Sequence, residues 1–288
     1  WLDGTRFGDG NIDRIAVPEF KWALPLEAQM SNLVALIPAP PTAPQSEMVF
    51  DLDARSGLDK PAKASGTLVY RGELASRTRM MLAMLAATDR ETVLRKMWTG
   101  RFDFLTVSNV GSKIDEVTGD VTLSFAGTAE MDWSGEDYGR KSYEADNARV
   151  GHYLKSKRDK DPDAAPVEVD DNYNAYRETI LLPDGGKGFS LDGEAVDSTI
   201  GGVHYVRTVA LKGERFEMTT MARNKAAEIS YADAKAADDQ VDELWKKRVF
   251  VRAPAGAAIA AKPGAKSDEP GAGQLGRPKA GRAILVDR

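Results

Sequence analysis

The pattern of apolar and polar residues changes along the first half of the chain. Period-two alternation in MVFDLDARSG, from residue 48, and in SGTLVYRGEL, from residue 65, predicts two strands bounded by turn residues. Apolar residues at helical spacing follow in LASRTRMMLAMLAATDRETVLRKMW, from residue 74. Thr88 and Glu91 have the spacing of a capping box, so we expect two helices here or one helix broken near Thr88.

Alternation returns in FLTVSNVGSKIDEVTGDVTLSFAGTAEMDW, from residue 104. Thr118, Gly119 and Asp120 are favourable turn residues and predict a hairpin between two strands of this stretch. Residues 48–135 are therefore predicted to form a β-α-β-β unit, with the helices covering one face of an antiparallel sheet.

Residues 136–252 begin with a polar, irregular stretch whose charge run, KSKRDKDPDAAP, is typical of a solvated loop. Short alternating runs separated by glycine turns follow, which is the rhythm of an antiparallel meander or sandwich. Ser230 and Asp233 resemble a helix cap, and the next residues place Val241, Leu244 and Trp245 on one amphipathic face. The sequence thus predicts an antiparallel β domain with a C-terminal helix.

The two ends of the chain have a different composition. Prolines at positions 18, 25, 38, 40, 41 and 44 predict an extended segment over residues 1–47 that connects domains. Its LIPAPPTAPQ stretch could be a polyproline ligand, although a stiff linker is the simpler interpretation. Residues 253–288 are rich in Ala, Gly and Pro and are predicted to be disordered. The fold class expected for the whole is α+β and β-rich, with antiparallel sheets or a sandwich and a few covering helices.

Composition excludes several kinds of chemistry. The 288 residues include no cysteine, which excludes disulfides, thiolate metal sites and a cysteine nucleophile within this sequence. A net charge of -5 argues against a nucleic-acid partner, because such surfaces need clustered Lys and Arg. No run approaches the roughly 18 apolar residues of a membrane span. We expect no cofactor and no metal.

The two histidines and a glycine-rich loop are further candidate sites. His204 lies among strand residues and His152 in the charged loop, so both are expected to be structural or surface residues. The loop PDGGKGF, from Pro183 to Phe189, offers glycine amides and Lys187 for a phosphate. It lacks the P-loop spacing and is predicted to be a hairpin loop. GFSLD likewise misses the nucleophile elbow, so Ser190 is expected to be an ordinary strand residue.

Carboxylates two residues apart suggest a further, weaker possibility. Asp51 and Asp53, and also Glu130 and Asp132, would each lie on one face of a strand. A hydrolase could use such carboxylates across a cleft. Alternating acidic residues on the solvent face of a sheet explain the pattern as well, and this is the preferred interpretation.

Three aromatic residues could stack on a sugar or a peptide. They are Trp133, Tyr138 and Tyr173, and they motivate an alternative function as an independent carbohydrate- or peptide-binding β-module. A Trp at the end of a strand more often fills a core, which is the competing interpretation for Trp133.

The opening residues, WLDGT, resemble the end of a bacterial transglutaminase-like domain of the papain-type Cys-His-Asp class. In that family the motif supplies the third catalytic residue, and the resemblance assigns this position to Asp3. Its carboxylate would accept the imidazole N–H and orient the catalytic histidine. The segments VPEFKWALPL, AEMDW, YRETILLPDGGKGFSLDG and IGGVHYVRT are similar to the C-terminal region of multidomain proteins with this core and an N-terminal β-rich domain of unknown function.

The resemblance implies a role without catalysis in this sequence alone. The family's cysteine and histidine lie upstream of the Asp motif, and residues 1–47 would be a remnant of the core plus a linker. We therefore expect a C-terminal accessory region of an amide-processing or peptidase-like protein of the bacterial cell envelope, with a structural or substrate-recognition role. Its expected partners are the upstream catalytic core and a peptide or cell-envelope polymer, in the periplasm or at the cell surface.

Overall fold

The computed structural model describes residues 22–25, 32–36, 41–133, 135–137, 140–145, 165–169 and 172–258. Three helices lie in these ranges: α1 (Gly72–Ala83), α2 (Ala87–Arg101) and α3 (Tyr231–Lys246). The strands in the same ranges are β1 (Trp22–Ala23), β2 (Val34–Ala35), β3 (Ser46–Asp53), β4 (Ala62–Tyr70), β5 (Leu105–Ile114), β6 (Val121–Ala129), β7 (Gly135–Asp137), β8 (Arg140–Glu144), β9 (Val167–Glu168), β10 (Tyr173–Leu181), β11 (Ser190–Asp192), β12 (Val196–Ile200), β13 (Val203–Lys212), β14 (Arg215–Asn224), β15 (Glu228–Ile229) and β16 (Phe250–Arg252).

One eight-stranded sheet organises the fold, with the strand order β12-β13-β14-β10-β3-β4-β6-β5. All of its pairings are antiparallel except that of the two central strands, β3 and β10, which run parallel. The β-rich α+β class expected from the sequence is confirmed. The segments that the sequence divides at residue 135 contribute four strands each, so the β3–β10 pairing joins them in one sheet.

One face of the large sheet carries the core, because side chains alternate between faces along each strand. Met48, Phe50 and Leu52 of β3 point to this core face and are almost fully buried. Helices α1 and α2 cover the core face over β4, β5 and β6, where Trp98 packs against Phe125 with their rings 4.6 Å apart.

Two other layers cover the rest of the core face. A four-stranded sheet of order β11-β16-β8-β7 contributes Tyr143 and Val251 to the same core as Ile180 of β10. Helix α3 packs Val241 and Leu244 against β12 and β13, in a smaller cluster. The opposite face of the large sheet is rich in Thr, Ser and charged residues, and we call it the open face.

Two local features have the form predicted from the sequence. The β5–β6 hairpin is confirmed, with the Asp115 carboxylate accepting from the amides of Val117 and Thr118 at 2.8 Å. The cap of α3 is confirmed as well, because the Ser230 hydroxyl accepts from the Asp233 amide at 3.0 Å.

The capping box expected at Thr88 is wrong, although the chain does form two helices there. Helix α2 begins at Ala87, one residue before Thr88, and its N-cap residue Ala86 makes no side-chain cap. Arg90 instead joins the two helices by donating to the Leu82 carbonyl of α1 at 2.8 Å. Glu91 reaches Arg95 of its own helix at 2.7 Å, so it does not fold back to the helix start.

The PDGGKGF loop is not a hairpin loop. It carries the chain from β10 in the large sheet to β11 in the small one through a short 3-10 turn, Asp184–Gly186. Gly186 has φ +73° and lies against the β13–β14 turn, where an added Cβ would come within 2.0 Å of the Gly213 carbonyl oxygen. This glycine is required by a close approach of two backbones.

The ends of the chain are described only in part. Strands β1 and β2 pair with each other, and the side chains of Trp22 and Leu33 are exposed. Disorder is predicted for residues 253–288, and positions 259–288 of this range lie outside the described residues. Among the described helices, none combines the length and the apolar character that crossing a membrane would require.

Candidate functional site

A row of polar side chains crosses one end of the open face. In the strand register Tyr173 of β10 lies opposite Arg223 of β14, and Arg223 lies opposite His204 of β13. Asp197 of the edge strand β12 completes the row by contacting His204. Directly opposed residues share a face, so β10, β14 and β13 bring Tyr173, Arg223 and His204 together, and Asp197 joins them from a fourth strand. We call Tyr173, Arg223, His204 and Asp197 the open-face row.

Arg223 is the centre of the row. Its guanidinium carbon lies 4.9 Å from the centre of the Tyr173 ring, which is the geometry of a cation–π contact. One Nη2 hydrogen is donated to the Pro41 carbonyl at 3.0 Å. The described residues supply no carboxylate partner to Arg223. Its position is fixed by the ring and the carbonyl, so the charge is held in place at a half-exposed site.

His204 lies beside Arg223 and contacts a carboxylate on its other side. Its Nε2 is 2.7 Å from Asp197 Oδ1, and the side chains of His204 and Asp197 are 25% and 80% exposed. Because an ionised carboxylate only accepts, Nε2 carries the hydrogen and the tautomer of the neutral ring is set. Nδ1 is then the acceptor of this imidazole.

The three aromatic residues that were expected to stack on a ligand do not lie together in one site. Tyr173 lies in the row, half-buried under Arg223. Trp133 is only 2% exposed, and its ring centre lies 5.6 Å from that of Tyr143 and 6.1 Å from that of Phe189. A stacking role does not fit this position, since other rings already surround Trp133. Tyr138 lies outside the described residues.

The other sequence candidates do not assemble into a site. Asp3 and His152 lie outside the described residues. Asp51 and Asp53 lie on the open face, where Asp53 pairs with Arg55 at 2.8 Å. This hydrogen bond lowers the pKa of Asp53 to about 2. Among the described residues no group of three or more His, Asp or Glu is arranged to hold a metal ion.

Two buried charged residues escaped the sequence analysis. Glu178 is fully buried in β10 and accepts from the hydroxyls of Tyr176 at 2.9 Å and Tyr143 at 3.2 Å. Arg207 is fully buried in β13 and donates to the carbonyls of Glu194 and Lys247. Burial lowers the pKa of the Arg207 guanidinium from its ordinary value. These groups join layers of the core and are structural in their contacts.

Sequence signals for these residues exist but are weak. Glu178 stands between Tyr176 and Ile180 at an inward position of an alternating run, where a carboxylate is unusual. Arg223 occupies an outward position, where an arginine is ordinary. Only the pairing of β10, β14 and β13 shows that Arg223 lies between Tyr173 and His204.

No family model, curated protein or solved structure matches this chain. The site is therefore interpreted from its own chemistry. The row provides a fixed guanidinium, an imidazole acceptor and the Tyr173 ring on adjacent strands. These are groups that bind polar or anionic parts of a ligand.

Proposed function

We propose that this chain is a non-catalytic accessory region with a recognition role, and that the open-face row is its binding surface. The observation that carries the proposal is the Arg223 guanidinium, held between the Tyr173 ring and the Pro41 carbonyl beside His204. A charge fixed in this way on three strands is pre-organised, so binding a ligand orders few side chains.

The wider setting of the proposal comes from the resemblance of the opening motif. On that basis the chain belongs to a transglutaminase-like, amide-processing protein of the bacterial cell envelope, in the periplasm or at the cell surface. Its ligand is then a peptide or a cell-envelope polymer that contains peptide. The absence of cysteine from the sequence is in keeping with a supporting role, because the thiol chemistry of that class needs one.

The proposal is tested by binding and by activity. Purified chain is mixed with insoluble bacterial cell-wall polymer, and the bound fraction is measured by co-sedimentation. We expect saturable binding that Arg223→Ala weakens at least tenfold, because the substitution removes the fixed charge. Arg177→Ala is the matched control, since Arg177 is an exposed arginine of β10 that also lies on the open face.

Two results would contradict this function. Binding that both arginine variants weaken equally would indicate general attraction to positive charge. Amide hydrolysis by the isolated chain that survives Asp3→Ala would show catalysis independent of the resembled motif.

A further inference from the structure

The guanidinium of Arg223 has hydrogen-bond donors to spare. An arginine carries five N–H donors in a planar fork, and the contacts above use one of them for the Pro41 carbonyl. The Tyr173 ring packs against the fork, whose carbon lies 4.9 Å from the ring centre, and limits its movement. A planar carboxylate accepts two parallel N–H bonds from such a fork. The geometry therefore favours a carboxylate over a neutral amide.

His204 adds a different preference one strand away. With Nε2 bonded to Asp197, Nδ1 is the acceptor of the neutral ring. Arg223 and His204 are register partners on β14 and β13, so their Cα atoms are about 5 Å apart and both side chains lie on the open face. A peptide whose carboxylate meets Arg223 can thus place an N–H of its backbone near His204 Nδ1.

Asp197 is the negative group that opposes this arrangement. It lies on β12, two strands from Arg223, which is about 10 Å in a sheet. This separation is about one Debye length at physiological ionic strength, and Asp197 is 80% exposed. Its repulsion of a carboxylate on Arg223 is accordingly weak.

We infer that the open-face row binds the C-terminal carboxylate of a peptide, with Arg223 holding the carboxylate and His204 accepting the last backbone N–H. This inference rests on the proposed function and specifies its ligand chemistry. Tyr173 is a positioning residue, since it acts by fixing the guanidinium.

The test uses NMR, because the chain contains only two histidines. A His152→Asn background leaves the ring signals of His204 alone in their spectral region. The probe is N-acetyl-Ala-Ala-Ala with a free carboxylate. We expect a saturable shift of the His204 signals, and at least a tenfold weaker effect from the same tripeptide with a C-terminal carboxamide.

Further arms identify the source of the carboxylate. N-acetyl-Ala-Glu-Ala-carboxamide carries a side-chain carboxylate and is expected to bind more weakly than the free acid, because its carboxylate lies farther from the backbone N–H. Inorganic phosphate tests for general anion binding. Arg223→Gln keeps a side-chain donor of similar shape and is expected to lose the response, whereas Arg177→Ala is expected to keep it.

Each outcome decides the inference. Equal responses to the acid and the carboxamide, or to the acid and phosphate, would overturn the carboxylate assignment. Retention of the response in Arg223→Gln would do the same. If cell-wall polymer still binds in an Arg223-dependent way, only the ligand chemistry fails and the recognition role stands. If neither polymer nor peptide binds, the proposed function fails as well.

Discussion

Strands β3 to β6 form one half of the large sheet and strands β10, β12, β13 and β14 the other, but different groups hold the layers behind them. Behind the first half the core is aromatic, with Phe50 stacked on Phe102 at 4.7 Å and tilted against Phe125 at 5.9 Å. Behind the second half, the buried polar side chains of Glu178 and Arg207 make hydrogen bonds to the covering layers. The open-face row lies on the outer surface of this second half.

The difference shows two ways of attaching a layer to a sheet. Apolar side chains stabilise the fold because their surface is removed from water, and other apolar residues of similar volume stabilise it nearly as well. A buried polar or charged side chain stabilises only if its partners are present, but those partners then fix one geometry. Two of the strands that position the row, β10 and β13, also carry Glu178 and Arg207. We interpret this as rigidity built beneath the open-face row.

The largest expected loss of stability comes from a substitution in the aromatic core behind strands β3 to β6. Phe50→Ala removes a fully buried ring that contacts three others, so we expect a loss of about 3–5 kcal/mol in the free energy of unfolding. Urea denaturation followed by circular dichroism measures this loss. Val49→Ala is the control. Val49 precedes Phe50 and lies on the open face, so its substitution is expected to cost about 1 kcal/mol or less. Equal losses in the two variants would show that Phe50 is not central to this core.

Removing the buried hydrogen bonds behind the second half of the sheet is expected to lower the free energy of unfolding by a smaller amount. Arg207→Met keeps an apolar stem but leaves the carbonyls of Glu194 and Lys247 without their donor. We expect about 2–3 kcal/mol of destabilisation, which is the cost of unsatisfied buried acceptors. The same denaturation experiment applies.

Arg215→Met provides the matched control for Arg207. Arg215 pairs with Glu217 on the open face with its side chain 51% exposed, so its loss is expected to cost about 0.5 kcal/mol or less. A stability of Arg207→Met equal to that of the wild type would mean that the polar contacts of this half contribute little.

How far the sequence predicts this molecule depends on the range of the interaction. Alternation and turn residues identify the β5–β6 hairpin and the Ser230 cap, because both are made by residues close in the chain. The parallel pairing of β3 with β10 joins residues more than 120 positions apart and leaves no local pattern. Arg223 could not be singled out for the same reason, since its significance comes from Tyr173 and His204 on other strands.

The smallest expected effect sharpens the contrast between buried and exposed charge. The pKa of Asp53 is about 2 in the folded chain, against an ordinary value of 3.8, mainly because Arg55 donates to its carboxylate. A depressed folded-state pKa stabilises the fold above about pH 4, and this contribution is lost as the pH falls from about 4 to about 2.

The Asp53–Arg55 pair is partly exposed, with side chains 28% and 52% accessible for Asp53 and Arg55. We therefore expect Asp53→Asn to lower stability at pH 7 by about 0.5 kcal/mol or less, with the difference vanishing near pH 2. Urea titrations at several pH values measure this, and 1 M salt should reduce the difference by screening. Asp51→Asn is the control, because Asp51 lies on the same face of β3 and has no ion pair with any described residue. A pH-independent difference for Asp53→Asn would show that the substitution acts through packing and not through charge.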